Sequence, residues 1–155
     1  MKIFVLCLSI CVASGIAFAN IYTSFVDARS WASDVPNSIA AAREYFKAVT
    51  PANFFRVFSP VNQLLAAVAL VLFWKAPAVR WYCLAALVLY VLTDVMTFAY
   101  FYPRNDIMFK TSLNDTALLT KTVTEWAAMN WVRTAIILGG VVCSFLALHK
   151  SYGMR

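Results

Sequence analysis

The residues with the strongest claim to chemistry are Trp126, Asn130, Arg133 and Thr134, which fall at i, i+4, i+7 and i+8 at the head of an apolar run reaching Leu148. Helical spacing puts them on one face. An arginine about two turns into a hydrophobic span costs at least ~2.5–3.5 kcal/mol on insertion scales, so it normally faces a partner, a cavity or water. One acid sits in a comparable place: Asp94, inside the apolar run that begins at Trp81. Counted at ~1.5 Å per residue, Asp94 lies roughly 12 Å from the outer end of its segment and Arg133 about 10 Å from the outer end of its own. Matching depth predicts that the two side chains face one another, each lowering the cost of burying the other. The chemistry on offer is a buried carboxylate beside a fixed positive charge, and no serine-hydrolase motif or phosphate loop competes with it.

Metal chemistry finds little support. The chain has one histidine, His149, and four cysteines, Cys7, Cys11, Cys83 and Cys143, with no Cys-x-x-Cys pair. That inventory excludes a histidine-ligated haem or a multi-histidine metal site. The cysteines read as small buried packing. The sequence assigns no metal and no cofactor.

The elements that must hold Asp94 and Arg133 follow from composition. Of 155 residues, 63% are hydrophobic and 13% charged, and the mean hydropathy is +0.73. This is the balance of an integral membrane protein. A spanning helix needs ~20 mostly apolar residues, and four segments qualify: about 3–26, 54–74, 81–102 and 126–148. The expected fold is all-α, an integral membrane four-helix bundle forming a single membrane domain over residues 1–155. Lys2 followed by an apolar run and Ala17-Phe18-Ala19 also fits a cleaved secretory signal. The run is longer than a usual signal core and continues through Tyr22 and Val26, which favours a span.

Net charge is +6, unevenly placed. Lys2, Lys75, Arg80, Lys150 and Arg155 lie at the termini and in the turn after the second segment, whereas every acid except Asp94 lies in or beside the two longer loops. The positive-inside rule then puts both termini in the cytoplasm and the loops around 27–53 and 103–125 outside. The basic balance marks orientation, and no nucleic-acid partner is expected.

Ser9, Ala13 and Ala17 form a small-xxx-small stripe for close helix approach. Between the first two spans, Pro36 with Asn37 or Ser38 opens a short external amphipathic helix, with Ile39, Ala42, Phe46 and Val49 on one side, expected to lie on the outer membrane surface. Thr50-Pro51 signals the start of the second span, which Pro60 should kink. Pro103 is expected to end the third. Helical periodicity from Asn114-Asp115 runs unbroken into the fourth, which predicts one long helix with Gly139, Gly140 and Ser144 packed tightly in its inner half.

Asn20, Arg56, Asn62, Gln63, Asp94, Asn105, Asp106, Glu125, Asn130 and Arg133 all belong to the outer half of the bundle, while the inner half is nearly featureless. That asymmetry predicts a polar cavity near the outer surface, walled by Tyr90, Phe98, Tyr100, Trp126 and Trp131 and suited to a flat amphipathic ligand. Ligand contacts are expected from Asn62, Gln63, Tyr90, Phe98, Asn105, Trp126, Asn130 and Trp131. The alternative is a polar network that only keeps four helices in register, with Asn62 and Gln63 as interhelical glue.

Three signatures go further: Asn53-x-x-x-x-x-x-Pro60 with the Phe-Phe-Arg-x-Phe-Ser core, Pro103-Arg104-Asn105-Asp106, and Trp126-x-x-x-Asn130-x-x-Arg133-Thr134. Together the chain resembles the small four-helix membrane proteins of the anthrone-oxygenase family. The resemblance implies a bacterial inner-membrane protein and a cofactor-free oxidation of a lipophilic aromatic substrate by dioxygen. A carboxylate, Asp94 or Asp106, would remove an acidic benzylic proton, and Arg133 with Asn130 or Asn105 would stabilise the enolate. Where members often carry a polar residue before the Pro-x-Asn motif, this chain has Tyr100-Phe101-Tyr102. The competing class is non-catalytic: a ligand-binding membrane bundle or an accessory subunit of a larger membrane complex. The partners expected are membrane lipid, a lipophilic aromatic small molecule, and either a second copy or a larger complex. Transport is disfavoured by the absence of an internal repeat.

Overall fold

Four apolar helices form the body of the protein in the computed structural model, which describes residues 1–153. In chain order the elements are α1 (Lys2–Ala32), α2 (Asn37–Tyr45), α3 (Pro51–Leu72), α4 (Pro77–Lys110) and α5 (Thr116–Tyr152). All except α2 are long and apolar enough to cross a membrane. Their outward faces carry large apolar side chains, among them Phe4, Phe18, Leu64, Val71, Val88 and Phe145. In water such a girdle would be a liability, whereas in lipid it is the solvated surface. The N-terminus, the last turns of α5 and the α3–α4 turn meet at one end, here called proximal, where Leu6, Ile10, Phe73, Val79 and Ala147 form one cluster. The basic residues Lys2, Lys75, Arg80 and Lys150 sit toward that end, while Arg155 lies outside the described residues.

Helix starts follow the sequence signals. Thr50 is extended and its backbone N–H donates to Asn53 Oδ1 (3.1 Å), with Pro51 at the first helical position. Asp115 caps α5 by accepting from the Leu118 N–H (2.9 Å). The long final helix is as expected, at 37 residues. α3 runs through Pro60 without a break. The small-residue stripe is buried, with Ala13 packed among Ala66, Ala86, Tyr90 and Val141.

Three expectations fail for physical reasons. Pro103 does not end the third span. Residues Thr97–Phe101 form a π-helical turn in which the Tyr102 N–H reaches back five residues to the Thr97 carbonyl, and α-helical spacing then resumes to Lys110. Pro103 falls in the first turn of that resumed segment, where a missing N–H is tolerated. A second π turn, Thr23–Asp27, carries α1 past its predicted end to Ala32. The external helix also differs, because its apolar face covers protein instead of lying along the bilayer. Ile39 and Ala42 are buried with Trp31, Phe101, Met108 and Trp126, and Arg43 donates from Nε and Nη2 to the Met108 carbonyl (2.9 and 2.7 Å). α2 is thus a lid on the distal end of the bundle.

Mid-bundle packing depends on one close approach. Tyr90 donates to or accepts from Ser144 (3.1 Å) with its ring against Gly140, where an added Cβ would overlap ring atoms. Gly140→Ala is expected to cost about 1–3 kcal/mol by overpacking, read as a lower unfolding temperature in detergent, and Tyr90→Leu in the same chain should restore most of it. Orientation has its own test: in a chain lacking the native cysteines, a cysteine at Tyr45 or Asp115 should react with an impermeant thiol reagent from outside. Labelling only from the cytoplasmic side would reverse the topology.

Candidate functional site

Arg133 is the centre of the distal half. It is 7% exposed, and its guanidinium stacks over the Phe101 ring at 4.0 Å, with Phe55 and Trp126 farther off at 5.6 and 5.8 Å. Desolvated cation–π contacts are worth up to ~2 kcal/mol or more, so these rings replace part of the lost hydration. Nη2 donates to Asn130 Oδ1 (2.5 Å). The other end of that amide is fixed: Asn130 Nδ2 donates to Ser24 Oγ (2.7 Å) and to the Asn20 carbonyl (3.2 Å). Asn130 is thereby a positioning residue for the arginine, and a fully buried one. The two π turns serve this arrangement directly. Ser24 lies in the first and Phe101 closes the second, consistent with the tendency of such turns to mark special sites.

The guanidinium borders a cavity of about 170 Å³ lined by residues from all four spanning helices, including Asn20, Phe55, Arg56, Ser59, Asp94, Phe98 and Arg133. Asp94 and Arg133 share this cavity, but the expected ion pair is not formed. Among the described residues the ion pairs are Lys47–Glu44, Arg104–Glu125, Lys110–Asp106 and Lys121–Glu125. Asp94 instead accepts from Gln63 Nε2 (2.6 Å), and the two charges attract across the void. A direct pair would need both side chains to leave α3 and the rings that hold them. Each has a nearer partner on its own side.

The remaining expected site residues divide by place. Phe98 lines the cavity, and Gln63 and Asn130 stand one hydrogen bond behind Asp94 and Arg133. Asn105 accepts from the Trp126 indole (2.8 Å), and Trp126 packs edge-on against Phe101 and Trp31 (5.3 and 5.1 Å), so both support the ring beneath Arg133. Asp106 lies off the cavity, paired with Lys110 at 2.6 Å. Trp131 is 43% exposed beside Phe25. Tyr90 sits deeper, and Asn62 is buried with its Oδ1 unpartnered. Arg104 binds Glu125 (2.9 Å) and stacks on Tyr100 (3.5 Å), which takes Tyr100 away from the cavity wall.

Sequence reasoning overlooked Phe55, Ser59, Thr93, Thr97 and Phe101. The signal for the first two was present: Phe55, Ser59 and Gln63 recur every four residues along one face of α3. It also overlooked a larger groove of about 610 Å³ farther out, bounded by Tyr22, Asp27, Trp31, Asp34, Tyr45 and others from α1 and α2. That groove contains no buried charge and no orphaned polar atom. Two residues that line the smaller cavity, Arg133 and Asn20, each carry a buried atom (Nε and Oδ1) without a partner among the described residues. Unsatisfied buried groups of this kind ask for a ligand or water, so the candidate site is the smaller cavity. No group of three or more histidine, cysteine or acidic side chains able to hold a metal occurs among the described residues.

Compared with known proteins, the chain matches the family model described as anthrone oxygenase over residues 1–143. No curated protein and no solved structure matches.

The Asn130 amide can be tested apart from any activity. Asn130→Ala removes the one hydrogen bond that the Arg133 guanidinium makes among the described residues and is expected to cost about 1.5–3 kcal/mol, against about 1 kcal/mol for Asn105→Ala, which removes a neutral bond. Unfolding in detergent measures both. The reverse order would place the organising contact at Trp126 instead of Arg133.

Proposed function

Because this chain belongs to the anthrone oxygenase family, we propose that its distal cavity oxygenates a lipophilic aromatic carbon acid with dioxygen and without a cofactor. The observation that supports this is the separation of the two charges. A carboxylate locked onto a guanidinium could neither accept a proton readily nor leave that guanidinium free for a substrate oxygen. Here Asp94 and Arg133 face one void from different helices, with Gln63 holding the first and Asn130 the second.

In this reading the substrate carries a ring methylene next to a conjugated carbonyl. Asp94 takes one methylene proton, and the electron pair moves to the carbonyl oxygen, which becomes an enolate against Arg133. The electron-rich anion gives one electron to dioxygen, and recombination forms a carbon–oxygen bond, leaving a peroxide that takes up a proton. Loss of the second methylene proton with cleavage of the O–O bond yields the carbonyl and water. The sum is CH₂ plus O₂ to C=O plus H₂O, which needs no outside reductant. Phe55 and Phe98 supply the apolar wall, and Asp106 takes no part because its carboxylate is paired with Lys110 off the cavity.

Purified protein supplied with dioxygen and aromatic carbon acids of one to three fused rings should accelerate carbonyl formation over a detergent blank. Arg133→Gln should slow turnover by about 10²–10³, the usual loss for one donor to a developing oxyanion, and Asp94→Asn should remove the proton acceptor with little change in KM. Absence of any rate above the blank across the series overturns the oxygenase reading and leaves a ligand-binding bundle.

A further inference from the structure

The size, charge and opening of the cavity narrow what it can hold, given the reading above that this cavity is the ligand site. Its volume is about 170 Å³. Pockets for drug-sized ligands run ~300–1,000 Å³, whereas an apolar void of ~150 Å³ takes up benzene. The room is that of one ring.

Its charge favours an anion. Two arginines and one acid line it, and the acid is already bonded to Gln63. Among the described residues Arg133 makes one hydrogen bond, to Asn130 through Nη2, and Arg56 makes no hydrogen bond or ion pair. The Arg133 guanidinium stands in the floor of the cavity, beside the rings of Phe55 and Phe101.

Its opening faces lipid. The floor residues come from α1 and α5: Ile16, Asn20, Arg133 and Ile137 are all nearly inaccessible. The exposed lining residues Arg56, Pro60 and Phe98 belong to α3 and α4, and exposed Phe54 and Phe58 lie beside them on the outward face of α3. Access is therefore sideways between these two helices, with the charge of exposed Arg56 reaching toward the polar edge of the bilayer.

We infer that the ligand is a single-ring aromatic acid bound as its anion, ring in the cavity and acidic oxygen on the Arg133 guanidinium, with an apolar tail left in the bilayer between α3 and α4. A fused tricyclic skeleton does not enter whole. Arg56 at the mouth adds a second positive charge on the path of the incoming oxygen.

An alkylated nitrophenol tests this, since its phenol and phenolate absorb at different wavelengths and binding can be followed without turnover. With the full chain in detergent, the apparent pKa of the bound probe should fall by about 1–3 relative to protein-free detergent, as expected for an acid placed beside an opposite charge. Arg133→Gln should abolish that fall, and Ser59→Leu, which fills the cavity from α3, should abolish binding; the second variant carries the test if the first does not fold. The tail-less nitrophenol should bind more weakly, and anthrone should not displace the probe. An unchanged pKa in the wild-type protein, a fall that survives in a folded variant, or displacement by anthrone at equal concentration overturns the inference. Probe binding with no turnover of any carbon acid would sink the oxygenase reading alone, and turnover of a tricyclic substrate without probe binding would sink this one alone.

Discussion

A guanidinium that has left water must be held by something, and the distal half of this protein is arranged around that requirement. Among the described residues Arg133 has one hydrogen bond, to Asn130, and a stack of rings below it. Neither alone offsets the several kcal/mol that burial of an ion costs. Ser24 and the Asn20 carbonyl fix the far side of the Asn130 amide, and Trp126 packs edge-on against the Phe101 ring on which the guanidinium stacks. Four side chains thus depend on one charge.

The three sequence signatures, far apart in the chain, converge on that charge. The first caps α3 through Asn53 and supplies Phe55, Arg56, Ser59 and Pro60 to the cavity. The second gives each polar residue a task in joining α4 to α5 or in bracing α4 itself: Arg104 to Glu125, Asn105 to Trp126, Asp106 to Lys110. The third is the face of α5 that carries Trp126, Asn130 and Arg133, with the Thr134 hydroxyl returned to the Asn130 carbonyl (2.8 Å). The second signature therefore stands beside the cavity without lining it, as does Trp126 of the third, so motif membership alone does not separate lining residues from the ones behind them.

What the sequence discloses and what it conceals divide along a physical line. Spanning helices announce themselves by length and composition, and Asn130 with Arg133 by a polar stripe on an apolar background, so the bundle and the buried polar centre of the candidate site were legible. Pairing was not. Depth along a helix said that Asp94 and Arg133 lie at one level, and they do share a cavity, but depth carries no information about azimuth, and Gln63 is nearer to Asp94. Pro103 misled because a proline in a standard α-helix breaks it, and nothing local in Thr97–Phe101 reveals that this turn is wider. α2 misled because an amphipathic face reads the same whether lipid or protein will cover it.

The two π turns have a consequence for how such a chain can change over time. At ~3.6 residues per turn, the face that carries Asn20 would return at Asp27, and the face that carries Thr93 at Tyr100. The buried residues are instead Ala28 and Phe101, each one position later. Proximal and distal halves of α1 and α4 are thus written in different phases, joined by a single surplus residue apiece. Chain length, more than side-chain identity, sets the alignment there: substitutions within either turn leave the phase intact, whereas loss of one residue would rotate everything beyond it by about 100°. Away from Ser24 and Phe101, drift by substitution keeps this phase, whereas drift by insertion or deletion does not.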